Sequence, residues 1–140
     1  MIEPRDIAMQ LVTVLHSAGC LLADMQAFPL NGDMKGPGQL VTRADRASHD
    51  FQAAELSRLF PEVALVMEEQ ANIEPLPETY IVTDELDGTA IYAKQLPDWA
   101  VTAAYIHAGR PVAGVMHLPK KRATVVAWEG GGTWLNGERT

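Results

Sequence analysis

Apolar positions recur at three- and four-residue steps from Pro4 to about Gln26, namely Ile7, Leu11, Val14, Leu15, Ala18, Leu22 and Met25. That spacing lines one face of an α-helix, and Pro4 suits a first helical turn, where a missing N–H costs nothing. The stretch Phe28 to Gln39 then gathers Pro29, Gly32, Gly36, Pro37 and Gly38, a density of backbone breakers that predicts a mobile loop and excludes helix and central strand alike. A second helix is expected from about Asp45 to Phe60, with Phe51, Leu56, Leu59 and Phe60 as its apolar contacts and Pro61 as its stop.

Beyond Pro61 the period changes. Val63 to Met67 is a short, continuously apolar run that ends abruptly in Glu68-Glu69, and Tyr80 to Thr83 is another that ends in Asp84. Such runs predict two buried strands, each with carboxylates at its carboxyl end. Between them Ala71 to Glu78, with Pro75 and Pro77, reads as a surface connection. Four more strand-like runs follow, at Ala100 to Ile106, Val112 to Leu118, Ala123 to Trp128 and Thr133 to Leu135. Their connections are short enough for hairpins, which predicts an antiparallel meander. The fold class is therefore α+β, with two amino-terminal helices packed on a largely antiparallel sheet.

The 140 residues suit one domain, 1–140, and 47% hydrophobic against 21% charged residues excludes global disorder. A net charge of −7 argues against nucleic acid and anionic membrane surfaces as partners and leaves acid to be balanced by bound cations. Cys20 stands alone, so no intrachain disulfide can form, and its apolar helical surroundings predict a buried thiol in a reducing compartment. Met1 to Asp6 is charged and lacks the basic head and apolar run of a secretion signal, and no stretch approaches the roughly 18 apolar residues that span a bilayer. A cytoplasmic location without membrane association is the expectation.

Carboxylates at the ends of buried strands are costly unless positive charge compensates them. Between Glu55 and Ala93 the only basic residue is Arg58, on the second helix, so a hard divalent cation such as magnesium is the natural counter-charge. If Asp84 ends a strand and Asp87 begins a turn, both carboxylates can converge on one point with the Leu86 carbonyl between them. Gly88 permits close backbone approach, and Thr89 can start a helical turn whose free amides favour phosphate. The bland alternative stays open, because Asp and Gly are standard turn residues and Glu68-Glu69 can be a solvated strand end. His16, His49 and His107 read as surface or packing residues, while His117, inside a strand, is ambiguous. Trp99, Trp128 and Trp134 read as core or sheet-edge packing, and Lys120-Lys121-Arg122 as a solvated turn.

Several segments resemble, in order, those of the inositol monophosphatase family and its relatives. Val41-Thr42-Arg43-Ala44-Asp45 is similar to its Val-Thr-x-x-Asp, Met67-Glu68-Glu69 to its Gly-Glu-Glu, and Asp84-Glu85-Leu86-Asp87-Gly88-Thr89 to its Asp-Pro-x-Asp-Gly-Thr. Leu96 to Val101, Gly109 to Val115 and Gly131 to Gly137 continue the likeness. The resemblance implies the first half of that family's layered α/β fold. It also implies Mg2+-dependent hydrolysis of a phosphate monoester, with Mn2+ as a substitute. By the same likeness Glu68, Asp84, the Leu86 carbonyl and Asp87 bind metal. Thr89 with Glu68 orients the attacking water, the Gly88 and Thr89 amides hold the phosphate, and Asp45 with Lys35 assists from outside the metal's own ligands. The partner implied is a small phosphorylated metabolite, and the family often forms homodimers.

The family continues into a carboxy-terminal domain that supplies another metal-binding Asp and most of the substrate pocket, so 1–140 corresponds to the amino-terminal metal-binding portion. Glu85 stands where the family has Pro, which predicts a looser turn and an extra negative charge beside the ligands. Met67 replaces a usual Gly, and Ala90-Ile91-Tyr92 replaces a more polar pattern. The rival reading is a non-catalytic metal-binding or assembly module built on the same fold.

Overall fold

The computed structural model describes residues 2–28, 37–67 and 75–140, with the side chains of 37–40 excepted. Along the chain come α1 (Pro4–Ala27), α2 (Pro37–Leu59), β1 (Ala64–Met67), β2 (Thr79–Asp87), α3 (Thr89–Ala93), β3 (Ala100–His107), β4 (Arg110–Leu118), β5 (Ala123–Trp128), β6 (Gly132–Leu135) and β7 (Glu138–Arg139). The strands form one sheet in sequence order, β1 to β7. β1 pairs parallel with β2, and every later pair is antiparallel. The α+β expectation and the meander are both met.

Both helices lie on one face of this sheet, α1 against β3, β4 and β5, and α2 against β1 and β2. The apolar stripe of α1 is what the sheet receives: Ile7, Leu11, Leu15 and Leu22 are fully buried among Ile81, Val101, Ala103, Tyr105 and Val115. Burying a side chain of that size contributes roughly 1.5–3 kcal/mol, so this stripe is the main attachment of the helix layer. The opposite sheet face leaves Val82 and Met116 exposed.

Three expectations are corrected. Pro37 opens α2 eight residues earlier than expected; a proline lacks only an N–H that the first helical turn leaves unpaired anyway. α1 is, by length and composition, apolar enough to cross a bilayer, contrary to the reading of the sequence, and here its apolar residues form the core under the sheet. Cys20 is exposed, not buried, because it follows Ala18 by two residues and so falls on the far side of the helix from the buried stripe. The expected mobile loop lies, between 29 and 36, outside the described residues, as does the first part of the surface connection; Pro75 and Leu76 at its end are exposed.

Candidate metal and phosphate site

β2 does not end at Asp84 as expected but runs on to Asp87 through an irregularity. Asp84 faces Thr102 of β3 and Asp87 faces Ala100, so three steps on β2 match two on β3. This is a β-bulge, with Glu85 and Leu86 together opposite Val101, and both are buried. The extra residue changes which way the side chains point. In a regular strand residues three apart lie on opposite faces, whereas the bulge returns Asp87 to the face of Asp84, as its pairing with Ala100 requires. Asp84 is half-buried and Asp87 exposed.

Two devices hold the bulge. Behind it, Ser48 of α2 donates to the Glu85 carbonyl at 2.8 Å, Gln52 donates to the Ser48 hydroxyl at 2.9 Å, and His49 Nδ1 lies 3.0 Å from Glu85 Oε1. In front of it, the Leu86 N–H donates to Asp84 Oδ1 at 3.3 Å. Glu85 therefore does not sit beside the proposed ligands as an extra charge. The bulge turns its carboxylate into the helix layer, against His49, and ties the turn instead of loosening it. His49, expected as a surface or packing residue, is instead the partner of Glu85; the signal is the spacing of Asp45, Ser48, His49 and Gln52, which recur on one face of α2. Asp45 stands one turn before Ser48 and His49, half-buried.

The chain leaves the bulge through Gly88, whose φ of +89° is open to glycine and strained for other residues. A Cβ there would also meet Trp99 Cα at 3.3 Å and the Asp98 carbonyl at 3.4 Å. α3 begins at once with exposed Thr89. Its far side is fixed by α1. Gln26, almost fully buried, donates to the carbonyls of Tyr92 (3.0 Å) and Leu96 (3.2 Å) and accepts from Trp99 Nε1 (3.2 Å). The Tyr92 hydroxyl donates to the Leu22 carbonyl at 2.8 Å, and burial raises its pKa well above the usual tyrosine range. Tyr92 and Trp99 meet edge to face at 5.1 Å. Asp87, Gly88 and Thr89 are thus carried on a turn anchored at both ends.

Of the residues singled out from sequence, Asp84, Leu86, Asp87, Gly88 and Thr89 come together at this turn, with Asp45 on the adjoining helix. Glu68 and Lys35 lie outside the described residues. Met67, which precedes Glu68, pairs with Thr83, which precedes Asp84. Asp84, with Val82 and Thr102, lines a hollow of about 200 Å³ on the helix-free side of the sheet. Among the described residues no three acidic, His or Cys side chains are grouped to hold a metal. The oxygen donors present are of the type a hard divalent cation takes, and they supply part of a coordination set.

The chain matches the inositol monophosphatase family over residues 4–140. It belongs to that family. An inositol-1-monophosphatase of Mesorhizobium japonicum is 35% identical over 111 residues, covering 79% of this chain and 42% of that protein. Nus factor SuhB of Escherichia coli is 30% identical over 131 residues, covering 91% of this chain and 49% of the relative. The solved structure of an IMPase from Thermotoga maritima superposes with a TM-score of 0.81 at 29% identity, over 96% of this chain and 52% of that one. The chain spans about half the length of the relatives it matches. As an inositol monophosphatase family member it carries the layered fold of its neighbours, and those relatives include named phosphatases.

Proposed function

We propose that this chain is the amino-terminal part of a magnesium-dependent phosphatase that hydrolyses a small phosphate monoester in the cytoplasm, completed by a second domain or subunit. The observation that carries the reading is the β2 bulge, which sets Asp84 and Asp87 on one face directly before Gly88 and Thr89. In this reading Glu68, Asp84, the Leu86 carbonyl and Asp87 hold Mg2+ or Mn2+. When bound, the cation lowers the pKa of an attacking water and neutralises charge on phosphate oxygens.

The chain's own residues do the rest. Thr89 is exposed at the first position of α3, where its hydroxyl can accept and pass on a hydrogen bond from the water, together with Glu68. The Gly88 and Thr89 amides bind phosphate oxygens, and the positive φ of Gly88 is what turns the backbone toward them. Asp45 and Lys35 act from outside the ligand set. Calorimetry with Mn2+ tests the assignment: Asp84→Asn or Asp87→Asn should weaken binding at least tenfold, and equal affinity in variant and parent would defeat it. Phosphate release from a panel of sugar, inositol and nucleotide monophosphates, abolished by Glu68→Gln, tests the chemistry.

A second reading is favoured by the likeness to a Nus factor. It makes the chain a non-catalytic module that folds, binds a cation and serves assembly. Turnover on any member of the panel that Glu68→Gln removes would rule it out.

A further inference from the structure

A cleft of about 700 Å³ lies away from the carboxylates, between α1 and the outer strands β5 and β6. One wall is a second stripe of α1, formed by Arg5, Met9, Val12 and His16, which recur at helical spacing beside the main buried stripe, with Val12 packed against the core's edge. The other wall carries Trp128 and Trp134, which share the sheet face of Val126, the residue paired with Trp134. Their rings are parallel within 3°, with centroids 5.8 Å apart. Both indoles are fixed in advance. A Cβ on Gly131 would sit 1.9 Å from Trp128 Nε1, so only glycine lets that ring lie on the turn, and Trp134 Nε1 donates to the Gly131 carbonyl at 2.8 Å.

Three polar side chains of the lining, those of His16, Thr124 and Asn136, are already engaged. His16 Nε2 meets the Thr124 hydroxyl at 3.0 Å, and Asn136 accepts the Thr124 N–H at 2.8 Å and donates to the Arg122 carbonyl at 3.1 Å. Among the described residues Arg5 is the one charged residue of the lining, it has no ion-pair partner, and no acid lines the cleft. A volume in the range of ordinary small-molecule sites, rigid aromatic walls and one open guanidinium define a ligand class.

We propose that this cleft binds a small aromatic organic anion, an aryl carboxylate or sulfonate, its rings against Trp128 and Trp134 and its anionic group on Arg5. The site is separate from the phosphatase assignment and does not depend on it. Anilinonaphthalene sulfonate is a suitable probe and uncharged phenylnaphthylamine its control, both followed by probe and tryptophan fluorescence on the folded chain. One equivalent of the sulfonate should bind and quench tryptophan emission. Arg5→Gln should weaken it about tenfold, Met9→Trp should weaken it at least tenfold by filling the cleft, and the uncharged control should bind at least tenfold more weakly. Circular dichroism and melting curves matching the parent's establish that each variant is folded, with Val12→Trp as a second filling variant. No binding, affinity unchanged in the variants, or equal affinity for the uncharged control would each overturn the proposal. So would a monomer–dimer equilibrium that Met9→Trp abolishes, since it would give the cleft to a second copy of the chain.

Discussion

The pair Glu85 and His49 shows how a buried carboxylate is accommodated locally. A carboxylate that is 1% exposed survives in this position because an imidazole stands 3.0 Å away and α2 holds the adjoining carbonyl. Removing one partner leaves the other buried without compensation, which is the expensive way to break such a pair. His49→Ala should therefore destabilise the chain by about 2–4 kcal/mol in urea unfolding. Replacing both residues with leucine should recover most of that loss. A second residue-scale prediction concerns His117, which stacks on His16 at 4.2 Å and bonds the Thr124 hydroxyl at 2.9 Å. Burial, and then the neighbouring His16, lower its pKa to about 4. The folded state thus holds it neutral while an unfolded chain would protonate it near pH 6.5. Its stabilisation is complete above that pH and is lost as pH falls from about 6.5 toward 4. The loss should be about 2 kcal/mol, less than the full shift because the pair keeps some contact with water. His117→Asn should flatten that slope in pH-dependent melting.

At the scale of elements, the bulge and the α1 to α3 bracket determine where the candidate site stands. Gln26 uses both ends of its amide on the segment from Tyr92 to Trp99. Gln26→Ala would leave the Leu96 carbonyl and the Trp99 indole N–H without this partner, while the Tyr92 carbonyl keeps the Gln95 N–H; each lost partner is worth about 1–3 kcal/mol if water cannot reach the group. A loss of about 2–4 kcal/mol, with a red shift in Trp99 emission, is expected from denaturation followed by fluorescence. Gly88→Ala combines a left-handed backbone with a Cβ at 3.3 Å from Trp99. It should cost about 1–3 kcal/mol in the same measurement, because the strained turn must then carry a side chain.

For the whole molecule, the sharpest consequence is a linkage. A cation that binds only the folded chain raises its stability by an amount set by concentration over Kd, about 2.7 kcal/mol at one hundred times Kd. Differential scanning calorimetry with and without MgCl2 should show this upward shift in the parent and lose it in Asp84→Asn. The uncovered face of the sheet, where Asp84 opens onto its hollow and Met116 is exposed, is where a completing domain would lie in the proposed reading.

Periodicity along the chain determined α1, the β3 to β6 meander and the order of the acidic segments, because spacing of apolar side chains is a local property that burial merely exploits. The turn residues Asp87, Gly88 and Thr89 were legible from another local property, the turn chemistry of Asp and Gly. Folding alone decided that β1 and β2 run parallel, that Glu85 turns inward to His49, and that Asp84 and Asp87 share a face. Pairing register and a one-residue bulge depend on which strands become neighbours, and no count of residues within a strand contains that information. The start of α2 at Pro37 falls between the two. The residues allow either outcome there, and packing of the helices on the sheet chose.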